Sequence, residues 1–266
     1  MRFELNGAEI YASTGGRPHK EGRPHLIFLH GSGQSHVSFS QQVRVFAYDG
    51  FNVLAPDFPG HGLSGGEPLS TIGDMADWVK SAMDHLGIEN AHIAGHSQGA
   101  LVALEFGRRY PDQIESLIVL ASGAAIPVND YLLNKAATDQ SKAINAMMAW
   151  GSGNLGHKFD NTVPGASHIG AGTQLMMNNP EGALSADLQA CNAYSEGLDA
   201  AAGIACPSLC VLAEKDKMTP LKAGLKLAGA LKDSETVTIK GAGHMLPPEN
   251  PREVNEALRG FLGRVA

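Results

Sequence analysis

Ala91-His92-Ile93-Ala94-Gly95-His96-Ser97-Gln98-Gly99-Ala100-Leu101-Val102-Ala103-Leu104 decides the fold. The stretch begins as a short apolar run, passes through Gly-His-Ser-Gln-Gly and continues with helical spacing, the strand–turn–helix order that a G-x-S-x-G motif requires. Ser97 must sit on a sharp, strained turn with its hydroxyl directed away from the sheet. Glycines flank it at 95 and 99 because a Cβ at either position would collide with the turn or with a neighbouring strand. The N-terminus of the following helix aims backbone N–H groups at the same point and favours negative charge there. Three fixed positions in five recur by chance in a chain with 32 glycines. The strand before and the helix after make the match informative.

Upstream, Asn6-Gly7 between alternating segments predicts a hairpin over residues 3–11. The apolar run His25-Leu26-Ile27-Phe28-Leu29 has the pattern of a strand buried on both faces and ends in His30-Gly31-Ser32-Gly33. A crossover helix over 34–48, a strand over 51–55 and a turn-rich loop over 56–65 follow, with Asp57 and His61 read as pins of that loop. Residues 72–86 carry apolar side chains at helical spacing, and 114–120 reads as another strand. From 127 to 202 no buried strand is predicted. Residues 131–150 look helical, with shorter helices over 173–178 and 185–194. The strand pattern returns at 207–213 and 236–239 around a helix over 221–231, and Asn250-Pro251 reads as the N-cap and first residue of a C-terminal helix.

Strands alternating with helices imply an α/β fold with a doubly wound, mostly parallel sheet. The expected organisation is a core domain of residues 1–126 and 203–266 with an inserted helical lid at 127–202. In such a sheet, functional residues collect outside the carboxyl ends of the strands. His30-Gly31-Ser32, Ser97, Asp216 and His244 all fall just after predicted strands and should share one rim.

A serine hydroxyl is a poor nucleophile at neutral pH and needs a base, and the base needs an orienting group. Ser97, Asp216 and His244 supply these in the chain order Ser…Asp…His. His244 is chosen among 11 histidines because it follows a strand in a Gly-flanked loop. Asp216 is preferred to Glu214 because it lies further into its loop. The expected oxyanion donors are the backbone N–H groups of Gln98 and Ser32. Met147, Trp150 and Met176 of the helical insertion, with His30, are the expected substrate contacts, although packing of the insertion would use the same apolar side chains.

On these residues the chain resembles the α/β-hydrolase superfamily, in its serine-nucleophile, carboxylesterase-like branch. The resemblance is carried by His30-Gly31-Ser32-Gly33, Asp57-Phe58-Pro59-Gly60-His61-Gly62-Leu63-Ser64, Gly95-His96-Ser97-Gln98-Gly99, Asp216 with Pro220 four residues on, and Gly241-Ala242-Gly243-His244. It implies a hydrolase without metal or cofactor and with a variable lid after the sixth strand. Dehalogenases and epoxide hydrolases of this fold use Asp where this chain has Ser97, and the extra glycines of the His-Gly-Gly-Gly lipase type are absent. Gln98 beside Ser97 resembles small carboxylesterases, and also some carbon–carbon bond hydrolases and cofactor-free perhydrolases. The leading expectation is therefore hydrolysis of a small, mostly uncharged carboxylic ester, thioester or lactone. The alternatives are a carbon–carbon bond hydrolase of dienone or diketone substrates and a non-catalytic ligand-binding member. Residues 186–194 have the look of a lid-end segment and give no substrate.

Composition agrees with a small-molecule substrate. The chain has 266 residues, a formal charge of -7 and 18% charged residues, a balance that argues against nucleic acid or an anionic membrane as partner. Three cysteines are too few for a disulfide framework, and Cys206 and Cys210 read as small buried hydrophobes. No signal-peptide core or spanning run is visible, so a cytoplasmic setting is expected. Monomer and homodimer are equally open.

Overall fold

The computed structural model describes residues 1–154, 156 and 167–266. Its strands are β1 (Arg2–Leu5), β2 (Ala8–Ser13), β3 (His25–Leu29), β4 (Asn52–Pro56), β5 (Ala91–His96), β6 (Ile114–Leu120), β7 (Ser208–Ala213) and β8 (Ser234–Ile239). They form one sheet in the order β1-β2-β4-β3-β5-β6-β7-β8. The β1–β2 hairpin turns on Asn6 and Gly7, at φ 53° and 79°, the positive-φ pair whose twist matches that of the flanking strands. β2 runs antiparallel to β4, and every pairing from β4 to β8 is parallel.

Helices cover both faces, which explains why the central strands read as continuous apolar runs rather than alternating ones. On one face α1 (Ser40–Tyr48) and the C-terminal α11 (Pro251–Val265) bury Phe28, Phe39, Phe46 and Phe261. On the other, α2 (Ile72–His85) and α3 (Gln98–Arg109) bury Phe58, Trp78 and Phe106. The crossover expected over 34–48 is split: a 3₁₀ turn at His36–Phe39, capped by Ser35, precedes α1.

Between β6 and β7 lie α4 (Asp130–Thr138), α5 (Gln140–Gly151), α6 (His168–Met177), α7 (Ala183–Ala193) and α8 (Gly197–Gly203). The helix expected over 131–150 is two helices. Asp139 breaks it at φ -161° and caps α5 through its side chain, a competition with the helical backbone that short Asp side chains favour. Part of the expected insertion, residues 155 and 157–166, lies outside the described residues. Leu132, Ala136, Ala143, Ile144, Met147, Met148, Met176, Leu184 and Leu188 form an apolar cluster of their own with Met245. Ala190, Cys191, Tyr194 and α8 instead join the core beside α3, so the separately packed segment is narrower than 127–202.

After β7, α9 (Leu221–Ala228) stops three residues short of the sequence expectation. α10 (Leu246–Glu249) runs almost directly into α11, and Asn250 between them donates its backbone N–H to Leu246 O. The Asn250 side chain makes no cap hydrogen bond, contrary to the reading of that residue as a side-chain N-cap. All three cysteines are free; Cys191 and Cys210 are buried and Cys206 is half-buried.

The junction of β5 and α3 is the tightest part of the fold. Ser97 sits at φ 54°, ψ -117°, a conformation L-residues rarely adopt. A Cβ on Gly95 would overlap the Gly99 carbonyl, and one on Gly99 would overlap the Leu29 carbonyl. Both obstacles are backbone, so no rotamer change relieves them. Gly99→Ala is therefore expected to cost about 3 kcal/mol or more, read as a fall in the urea unfolding midpoint. A variant unfolding at the wild-type midpoint would refute this packing account.

Candidate active site

Ser97, Asp216 and His244 come together from three loops, after β5, β7 and β8. His244 Nε2 lies 2.9 Å from Ser97 Oγ, and His244 Nδ1 lies 2.8 Å from Asp216 Oδ2. All three residues are buried, with Ser97 and Asp216 each 7% exposed. Asp216 Oδ1 accepts the N–H groups of Met218 and Thr219, both at 2.8 Å, and Thr219 Oγ1 lies 2.7 Å from Oδ2 and 2.9 Å from Ala121 O. Burial alone would raise the Asp216 carboxyl, but the facing His244 and the Thr219 hydrogen bonds bring it below its ordinary value. The carboxylate is thus ionised and oriented where the imidazole needs it. Thr219 was not singled out in the sequence, although Asp-x-x-Thr at a strand end is a spacing that lets an Asp collect N–H groups from its own turn.

The serine turn is held by Ser97 N–H to Leu120 O at 3.0 Å and by Ser122 Oγ to Ser97 O at 3.1 Å. Gln98 is the first residue of α3, so its N–H has no carbonyl one turn behind it. Ser32 lies on the loop after β3, bent by a Gln34 N–H to Gly31 O hydrogen bond of 3.1 Å, and faces the same cavity as Ser97. That cavity measures about 150 Å³, and Ile126, Leu132, Met147, Trp150, Leu188 and Met218 supply most of its apolar wall. Among the described residues its only lysine or arginine is Lys217, which is exposed.

Met147 and Trp150 line this cavity, as expected; His30 and Met176 do not. His30 is fully buried behind the loop, where Nε2 accepts the Phe58 N–H at 3.1 Å and Nδ1 donates to Gly31 O at 3.0 Å. Burial, helped by nearby His61, lowers its pKa to about 4. It is a neutral pin between two loops rather than a substrate contact. Met176 faces a second cavity under α6. Asp57 and His61 hold their loop as expected: Asp57 accepts the His36 N–H, His36 Nδ1–H and Leu63 N–H.

Asp187 on α7 carries a contact that no sequence signal announced. Its Oδ2 accepts the Gly33 N–H at 2.7 Å and faces His61 Nε2 at 3.0 Å, and its backbone carbonyl faces Gln98 Nε2 at 3.4 Å. Asn179 adds a second tie, donating from Nδ2 to Gly33 O and Gln34 O and accepting the Gly62 N–H. Burial lowers the pKa of His61, yet the Asp187 carboxylate outweighs it and the net shift is upward; Asp187, which burial would raise, is held below its ordinary value by His61. The helical segment is thereby fastened to the loop that carries Ser32.

Comparison with known proteins gives a consistent family. The model of the Alpha/beta hydrolase family matches residues 26–257. A 2-hydroxy-6-oxononadienedioate/2-hydroxy-6-oxononatrienedioate hydrolase of Paraburkholderia phymatum is 25% identical to this chain, over 91% of the chain and 88% of the relative. The crystal structure of an enol-lactonase from Burkholderia xenovorans LB400 matches with a TM-score of 0.88 at 22% identity, covering 99% of this chain and 100% of that one. A thermophilic esterase from Thermogutta terrifontis matches at 0.83 and 23% identity, covering 100% and 99%.

The His61–Asp187 pair makes stability depend on pH from both sides. The raised His61 contributes fully below the ordinary histidine value of 6.5 and loses that contribution as pH rises through its folded value. The lowered Asp187 contributes above the ordinary value of 3.8 and loses it as pH falls through its folded value. Asp187→Asn keeps an acceptor for Gly33 but removes the charge. It is expected to lower stability by about 1–3 kcal/mol near neutral pH and to flatten the decline that sets in as pH rises past 6.5, measured by urea unfolding across pH. An unchanged pH profile in the variant would refute the pairing.

Proposed function

This chain belongs to the alpha/beta hydrolase family, and we propose that within it the protein is a serine hydrolase of small, mostly uncharged carboxylic esters or lactones. The observation that carries the proposal is the continuous line Ser97 Oγ–His244 Nε2 at 2.9 Å and His244 Nδ1–Asp216 Oδ2 at 2.8 Å, opening into an apolar cavity. Ser97 Oγ attacks the substrate carbonyl while His244 Nε2 takes its proton. The negative charge that develops on the carbonyl oxygen is met by the N–H groups of Ser32 and Gln98. His244 then gives the proton to the leaving alcohol oxygen. A water attacks the resulting acyl-enzyme with His244 again as base, releasing the acid and restoring Ser97. Asp216 stays ionised and holds the imidazole throughout. No metal or cofactor enters these steps. The helices from α4 to α7 act as the lid that keeps the cavity dry and sets its shape.

The similarity to a hydrolase of 2-hydroxy-6-oxononadienedioate favours a second reading, cleavage of a carbon–carbon bond in a dienone acid by the same residues. A dioate presents two carboxylates. Residues 127–202 contain no arginine, and among the described residues the cavity wall offers Lys217 as its only lysine or arginine. That chemistry supports the uncharged ester or lactone first.

The deciding experiment is hydrolysis of p-nitrophenyl esters from acetate to decanoate by the purified protein and by Ser97→Ala. The wild type is expected to turn over short esters, and the variant to fall to about the 10³–10⁴-fold advantage over water that binding and oxyanion donors alone leave. No ester turnover, together with phosphonate labelling of Ser97, would move the assignment to carbon–carbon substrates. Neither turnover nor labelling would overturn the serine mechanism itself.

A further inference from the structure

Behind the catalytic cavity lies a second cavity of about 140 Å³. Its wall is mainly apolar, with Val37, Met148, Leu175, Met176 and Pro248. Gln34 and Met245 line both cavities and stand between them. The two shared residues meet where Gln34 Nε2 donates to Met245 Sδ at 3.3 Å. A thioether is a weak acceptor and an unbranched side chain with three rotatable bonds, so this wall yields at small cost. The backbone on either side is held, since Met245 N–H is bonded to Gly151 O at 3.2 Å and Gln34 N–H to Gly31 O at 3.1 Å. Gln34 Oε1 also accepts the Gly31 N–H at 3.3 Å, so Met245 is the more mobile half of the wall.

The position of the partition gives it meaning. Gln34 is two residues beyond Ser32, and Met176 packs against Gly33 between them. A carbonyl held at Ser97 by the Ser32 and Gln98 N–H groups therefore shares its cavity with the partition. We propose that the second cavity is the compartment for the distal, apolar end of the substrate's acyl arm, with Gln34 and Met245 as the wall that a medium-length chain displaces. The inference rests on the serine hydrolase reading for its acyl geometry. It adds a substrate class, acids with an apolar tail longer than the first cavity holds, and it accounts for Met176 and Leu175 on α6.

The test fills or opens the compartment away from Ser97. Leu175→Trp and, independently, Ala171→Phe fill it from α6; Met245→Ala opens the wall. Labelling rates are measured with the p-nitrophenyl esters of ethyl- and octylphosphonic acid, in which Ser97 Oγ bonds to phosphorus and p-nitrophenolate leaves. Esterase kcat/KM is measured for acetate and octanoate esters. The filling variants are expected to lower the octyl-to-ethyl ratio by about tenfold or more, since each methylene withdrawn from an apolar site costs roughly fourfold. Met245→Ala should raise the ratio, and Leu175→Trp should cancel that gain in the double variant. Binding of octanoate against acetate by calorimetry needs no nucleophile and should lose its chain-length preference in the filling variants. If folded filling variants keep wild-type ratios and wild-type octanoate binding, the compartment is overturned. If octanoate preference responds to the fillings but Ser97 is never labelled, the compartment stands and the serine mechanism falls.

Discussion

Everything at this site is referred to one strained residue. Ser97 is held at φ 54°, a backbone state that costs roughly 1–3 kcal/mol and persists only where its surroundings over-determine it. Here they do: its N–H is bonded to β6, its carbonyl accepts from Ser122 and from Ala100 N–H, and the backbones of Gly95, Gly99 and Leu29 pass too close for any side chain. The turn cannot relax without separating β5 from α3 or α3 from β3. The serine hydroxyl is therefore placed by the sheet itself, and the remaining groups have only to be brought to it.

They are brought by loops that the helical segment grips at two places. At the Ser32 loop, Asp187 and Asn179 hold Gly33 and Gln34. At the His244 loop, Gly151 O accepts the Met245 N–H, Gly241 O accepts the Asn154 N–H, and the buried Glu249 accepts the N–H groups of Gly153 and Gly156. A Cβ on Gly153 would overlap the Gly243 N–H, so at these two glycines the loops meet backbone to backbone. The segment that roofs the cavity is thus also a brace for the loops bearing Ser32 and His244. Substitutions in it act on geometry as well as on pocket shape.

This division explains what the sequence disclosed. Ser97, Asp216 and His244 were legible because each follows a strand end: Ser97 an apolar run with flanking glycines, Asp216 an apolar run closed by a polar turn ending in Pro220, and His244 a β-branched run followed by Gly241 and Gly243. The parallel sheet places those ends on one rim. The hairpin at Asn6-Gly7 was legible because its turn needs residues that tolerate positive φ. Asp187 was not, because its partners Gly33 and His61 lie 154 and 126 residues away and nothing local distinguishes it from a solvated helical carboxylate. His30 was misread because position at a strand end does not fix ring direction; the Phe58 N–H does. Met147 and Met176 look alike in sequence, and only the packing of α5 against α6 sends them to different cavities.

The histidines around the triad have their charges separated by environment. Burial, with His244 close by, lowers His96 to about 3, and burial lowers His30 to about 4. Neutral His96 gives its Nε2–H to His244 O at 2.7 Å, and its ring lies 5.1 Å from the His244 ring. Were it charged, it would oppose the imidazolium that the proposed mechanism forms on His244, at a distance where a like charge inside protein costs several kcal/mol. Held neutral, it supports the His244 backbone without competing for Asp216. The one histidine here with a raised pKa, His61, is turned away toward Asp187. The same desolvation that keeps His30 and His96 neutral leaves the Asp216 carboxylate as the principal charge facing His244, the asymmetry that the proposed serine mechanism requires.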